Sequence, residues 1–231
     1  MPLEAVLLDI GDTLLTEEPP RARIYAEEAR ERGLAVEDQE MGRLMRLAHH
    51  GLPERREGAY RYSDPWFEAF IERIYVAELG LEAAELPALT QVLFERFEDP
   101  GTFQLYAGAR ELLDGVRALG LRLGVVSNWS ARLPRLLRAL ELDDAFDFVL
   151  SSALEELEKP DPALFARALE RAGSAPERTL HAGDHPEKDG AAQQLGLQFV
   201  LVDHRGRHPD SPHERVENLG ALLELVRGRA A

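Results

Sequence analysis

The run LLDIGDTLL at residues 7–15 ends an apolar segment in a carboxylate, Asp9, and turns at once through Ile10-Gly11-Asp12-Thr13. A carboxylate at the tip of a buried strand can act as a nucleophile, provided that a cation masks its charge when an anionic substrate approaches. Three further polar points follow comparable apolar runs. They are Ser127-Asn128, Lys159-Pro160, and Asp184 with Asp189. Singly, each has an ordinary reading: a strand-ending aspartate forms turns, a Ser-Asn pair or two spaced acids cap helices, and a lone lysine is a solvated charge. Together they supply a nucleophile, a hydroxyl and an amide for an oxyanion, a cation, and two more carboxylates. That set fits covalent transfer through an aspartyl intermediate, with Mg²⁺ on the acids, because Mg²⁺ takes oxygen ligands and keeps several waters. Lys159 and Lys188 are the only lysines in a chain that otherwise uses arginine. A compact ammonium fits between a carboxylate and a phosphate oxygen where a planar guanidinium is bulky.

These points need a scaffold that gathers them. EAVLLD (4–9), LRLGVVSN (121–128), FDFVLS (146–151), RTLHAGD (178–184) and LQFVLVD (197–203) read as short buried strands, each followed by a polar or glycine-bearing loop. Helical patterns separate them at 108–120, 133–142 and 162–173. Alternating strands and helices predict an α/β fold with a doubly wound, parallel, Rossmann-like sheet, in which ligands sit beyond the carboxyl ends of the strands. Residues 15–102 break the alternation. They show no convincing strand and read as four helices, at 20–33, 39–51, 64–80 and 86–100, with Asp64 capping the third and Pro65 at its first position. The expected division is a core of residues 1–14 and 103–231 and an all-helical insert of 15–102.

Composition narrows the function further. The chain has 231 residues, 45% of them hydrophobic, enough to bury a sizeable core. A net charge of -15 argues against nucleic acid or an anionic membrane as partner. The absence of cysteine excludes disulfides and thiolate metal sites. MPLEAVLLDIG has no basic leader and too short an apolar run for a signal peptide or a membrane span, so a cytoplasmic protein is expected.

The segments Asp9-Ile-Gly-Asp-Thr13, Val-Val-Ser127-Asn128, Lys159-Pro-Asp-Pro162 and Gly183-Asp184-His-Pro-Glu-Lys-Asp189 resemble the four ordered motifs of the haloacid-dehalogenase-like (HAD) hydrolase superfamily, and the helical insert resembles its C1 cap. The resemblance spans the whole chain. It implies Asp9 as nucleophile, Ser127, Asn128 and Lys159 around the phosphate, and a Mg²⁺ site made by Asp9, the Gly11 carbonyl, Asp184 and Asp189. It also marks a departure. The family's phosphatases usually carry a second aspartate where this chain has Gly11, and losing a positioned general acid–base costs about 10²–10⁴ in rate. Asp12 and His185 are the nearby candidates to replace it. The dehalogenase branch lacks that aspartate too, but it carries an aromatic residue there, needs no metal, and has a tyrosine where this chain has Phe165.

The leading expectation is therefore a Mg²⁺-dependent phosphatase of a small-molecule phosphate ester. The alternatives are a non-catalytic phosphate-binding or interaction module and a metal-independent 2-haloacid dehalogenase. A monomer and a dimer are equally open. Arg21, Arg23, Tyr25, His49, His50 and Trp66 are the candidates for substrate selection from the insert.

Overall fold

In the computed structural model, which describes residues 1–56 and 58–231, Ala5–Leu8 (β1) lies at the middle of a six-stranded sheet. The other strands are Arg122–Ser127 (β2), Phe148–Ser151 (β3), Thr179–Gly183 (β4), Gln198–Val202 (β5) and Arg215–Val216 (β6). Their order is β6-β5-β4-β1-β2-β3, and every neighbouring pair is parallel. Every side chain of β1 and β4 is buried. A parallel sheet is covered on both faces, so its strands are continuous apolar runs rather than alternating ones.

On one face, Leu7, Val126 and Leu150 pack with Leu164, Phe165 and Ala168 of helix Pro162–Ala172. Full burial of a side chain such as Phe165 stabilises by roughly 1.5–3 kcal/mol. Asp161 starts that helix by accepting a hydrogen bond from the Ala163 N–H at 2.8 Å, and Gly173 ends it in the left-handed conformation. Helix Ala109–Ala118 buries Ala109, Leu112, Leu113 and Val116 at helical spacing and packs against the C-terminal helix Leu219–Ala230. Strands are added outward on both sides of β1. The crevice at the carboxyl ends of β1 and its neighbours is thus the switch point where ligands bind in such sheets.

The chain divides into two compact units, Met1–Thr16 with Gln104–Ala231, and Glu17–Phe103. The second unit contains α-helices Arg21–Glu31, Asp38–Gly51, Asp64–Glu72 and Leu86–Arg96. They bury one apolar cluster that includes Tyr25, Trp66, Phe70 and Tyr75, and the Tyr75 hydroxyl donates to the Tyr25 carbonyl at 2.6 Å.

Several details depart from expectation. Tyr25 and Trp66 are core residues of this unit, with the Trp66 indole donating to the Pro53 carbonyl, and are not presented for substrate selection. Arg21 and Arg23 pair with Glu17 and Glu27 within the unit. The third helix begins after Ser63, which takes the cap position in place of Asp64, and it passes into a π-helical turn at Arg73–Glu78. Short strands also occur where none was expected. Leu15–Glu17 pairs with Phe103–Leu105, and Arg55–Arg56 pairs with Ala59–Tyr60. Two or three residues are too few to show a period in sequence. The strand Arg215–Val216 and the helix after it complete the first unit beyond the strands read from sequence. No helix among the described residues is long and apolar enough to cross a membrane.

Candidate active site

Asp9 follows β1 directly, and its N–H donates to the Ala182 carbonyl of β4 at 2.9 Å. That bond extends the sheet ladder by one residue and holds Asp9 beside Gly183-Asp184. One carboxylate oxygen each from Asp9, Asp184 and Asp189 lie within 4.8 Å of one another. Lys159 enters the same space with only 3% of its side chain exposed. Its Nζ donates to Asp9 Oδ1 at 2.8 Å and to Asp189 Oδ1 at 2.5 Å.

The lysine is held from behind. Asn128 Nδ2 donates to the Lys159 carbonyl at 2.8 Å, and Asn128 Oδ1 accepts from the Lys159 N–H at 2.8 Å. Both ends of this amide are engaged by backbone, so Asn128 clamps the loop that carries the ammonium. Ser127, buried, ends β2 next to β1.

Asp189 is pinned by three donors. Besides Lys159, the His181 Nε2 lies 2.9 Å from Oδ1 and the His185 N–H 3.0 Å from Oδ2. His181 is fully buried against Phe165, and its Nδ1 has no hydrogen-bond partner among the described residues. Glycine at 183 is a steric requirement, because a Cβ there would fall 2.2 Å from Asp189 Cγ.

The charges are unbalanced: three carboxylates face one ammonium. Burial alone would raise Asp189, but Lys159 and the His181 hydrogen bond outweigh it and hold this acid far below the usual carboxylate range. Burial would lower Lys159, and Asp189 and Asp9 keep it firmly protonated. Asp184 goes the other way. Burial, then Asp9, Asp189 and Asp12, push it well above the ordinary range. Such a cluster is short of positive charge. Its donors are carboxylate oxygens without histidine or thiolate, which suits a hard divalent cation such as Mg²⁺.

Gly11 lies on the turn after Asp9. The Trp129 ring lies against it, with Cζ3 3.2 Å from the position of a Cβ, so a side chain there would press on the indole. Asp12, at φ 53°, turns its carboxylate to other partners. It accepts from Thr16 Oγ1 at 3.0 Å and the Tyr106 hydroxyl at 3.3 Å, and it lies 3.7 and 3.6 Å from Arg205 and Arg207. His185 is likewise occupied, its Nδ1 facing the Glu187 and Lys188 N–H groups at 3.3 and 3.4 Å.

The fold thus gathers Asp9, Lys159, Asp184 and Asp189 through direct contacts or a shared oxygen cluster, and sets Ser127 at the same sheet edge. Sequence reasoning missed His181, Trp129 and the Asp203–His208 loop beyond β5. The loop carried a signal, since it follows a fifth apolar run at the edge already identified. His181 carried none that separates it from an ordinary core histidine.

Comparison with known proteins gives a consistent picture. Residues 3–196 match the family of haloacid dehalogenase-like hydrolases. The chain is 32% identical over 234 residues to haloacid dehalogenase-like hydrolase domain-containing protein 3 of Danio rerio, covering 97% of this chain and 96% of that one. It is 31% identical over 256 residues to a phosphoserine phosphatase of Thermus thermophilus, covering 99% and 100% of the two chains. Among solved structures it is similar to an HAD phosphatase from Thermococcus onnurineus, with a TM-score of 0.70, 25% identity, and 99% and 100% coverage.

Two substitutions test the geometry. Gly183→Ala forces Asp189 away from Lys159 and His181 and is expected to cost about 1–3 kcal/mol in urea unfolding. Lys159→Met leaves buried carboxylates without their cation and is expected to cost about 3–5 kcal/mol, the larger loss of the two. The reverse ranking would mean that Lys159 does not hold this cluster together.

Proposed function

The chain belongs to the haloacid dehalogenase-like hydrolase family, and we propose that it is a Mg²⁺-dependent phosphatase of small phosphorylated metabolites that works through an aspartyl phosphate on Asp9. The observation that carries this reading is the contact of Lys159 with Asp9 and Asp189 beside the carboxylate of Asp184. Its similarity to proteins described as phosphatases supports the same chemistry.

Lys159 holds Asp9 Oδ1, which leaves Oδ2 to attack phosphorus. A bond forms from Oδ2 to phosphorus while the ester P–O bond breaks, and the leaving oxygen takes a proton from solvent. Water then attacks the acyl phosphate, the bond from phosphorus to Oδ2 breaks, and inorganic phosphate leaves with Asp9 restored. Lys159 and the Ser127 hydroxyl hold the non-bridging oxygens. Asn128 acts through Lys159 by fixing its backbone, a positioning role in place of direct contact with substrate. Asp9, Asp184 and the Gly11 carbonyl would hold Mg²⁺, with Asp189 orienting Lys159. When bound, the metal offsets the negative charge of the acids and of the incoming phosphate. The helical unit acts as the cap. A metal-independent dehalogenase has no use for Asp184 crowded against Asp9, which favours the phosphatase.

Gly11 supplies no acid, Asp12 is held by Thr16 and Tyr106, and His185 Nδ1 faces the Glu187 and Lys188 N–H groups. Substrates whose leaving group needs no proton should therefore turn over best. The wild-type protein is expected to release p-nitrophenol from p-nitrophenyl phosphate with Mg²⁺ and not with EDTA, and Asp9→Asn to fall to background. Folded wild-type protein that releases none would favour the non-catalytic module. Activity surviving in Asp9→Asn would remove Asp9 from the mechanism. Gly11→Asp combined with Trp129→Phe, which makes room at the indole, is expected to raise turnover of an alkyl phosphate relative to the aryl one, by up to about 10²-fold. An unchanged ratio would show that leaving-group protonation does not limit the enzyme.

A further inference from the structure

Beyond β5 the chain runs Asp203-His204-Arg205-Gly206-Arg207-His208, a basic run in a strongly acidic protein. It is a built loop. The buried Asp203 carboxylate accepts from the Arg207 N–H at 2.8 Å, the His208 N–H at 2.9 Å and Arg215 Nη1 at 3.1 Å. The His204 ring stacks on Tyr106 at 3.7 Å between centroids and 12° between planes, and its Nε2 lies 2.9 Å from the Thr13 carbonyl. The loop backbone is thus fixed from both sides, while the side chains of Arg205 and Arg207 stay 45% and 50% exposed.

Both guanidiniums face one pocket, which Asp12, Tyr106 and Asp184 also line. Asp184 belongs equally to the carboxylate cluster around Asp9, so this pocket adjoins that cluster through Asp184. Asp12 lies between the two arginines but beyond hydrogen-bond distance of either, at 3.7 and 3.6 Å. Two guanidiniums flank the Asp12 carboxylate, and their exposed planar donor pairs suit an oxyanion. Nothing in the phosphoryl-transfer steps uses them.

We infer that Arg205 and Arg207 form a specificity subsite that selects phosphate monoesters carrying a second anionic group, a carboxylate, near the ester. This rests on the phosphatase reading for the ligand's first phosphate. It places part of substrate choice on the sheet's own loop.

The test is calorimetric binding, with Mg²⁺, to Asp9→Asn protein, which does not consume the ligand. Two matched pairs are used: 3-phosphoglycerate against glycerol 3-phosphate, and 2-phosphoglycolate against ethyl phosphate. At least one carboxylate-bearing ligand is expected to bind about tenfold tighter than its mate, as for a charge-assisted contact. Arg205→Gln with Arg207→Gln should erase that preference and leave the Kd of the mate within about twofold. The Arg205→Lys and Arg207→Lys pair should retain most of it. No preference in either pair, or one that survives the glutamine substitutions, overturns the subsite. The p-nitrophenyl phosphate assay separates the two claims. Preference without turnover keeps the subsite and rejects the phosphatase, and turnover without preference does the reverse.

Discussion

Burying an ammonium between carboxylates is the constraint on which the rest of this structure depends. Lys159 is almost wholly removed from water, and a buried charge is tolerated only with close partners of opposite sign. Asp9 and Asp189 meet that need, yet two carboxylates brought this close repel one another. Much of the surrounding structure serves to keep the three in place. The sheet ladder carries Asp9, Asn128 grips the lysine backbone, and Gly183 makes way for Asp189. His181 then supports Asp189 through Nε2, 2.9 Å from Oδ1, which adds a further hydrogen bond to the carboxylate.

The same constraint explains why one feature of the chain looks incomplete. A lysine saturated by two acids leaves Asp184 uncompensated, so the edge of the sheet remains attractive to a cation and, through it, to an anion. Reaction at Asp9 then relies on position and electrostatics more than on proton transfer, as phosphoryl transfer in general allows. Gly11 fits this economy of groups. An indole, rather than a second acid, borders the turn beside the nucleophile.

The sheet was legible because parallel strands are short, wholly apolar and followed by loops that share one edge. Asp9, Ser127, Lys159, Asp184 and Asp189 each follow such a run closely enough to be found from that rule. The four insert helices were legible from apolar spacing. Strands of two or three residues were not, since no period can show in them. The choice of Ser63 over Asp64 as cap turned on backbone angles at adjacent residues, which composition does not encode. Asn128 was found in place, but its grip on the Lys159 backbone was not legible, because a side-chain amide that holds backbone and one that meets a ligand look alike in sequence. Trp129 and Asp12 could be interpreted only once their neighbours in space were known.

The loop from Asp184 to Asp189 closes on itself. The Asp189 N–H donates to the His185 carbonyl at 2.9 Å, while the His185 N–H returns a bond to the Asp189 carboxylate. Asp189 arrives beneath Gly183 only because this ring has its present circumference. Chain length is therefore as strict a specification here as residue identity. One residue inserted or deleted within the ring would uncouple Lys159, His181 and Gly183 together, a change that no compensating side chain nearby could repair.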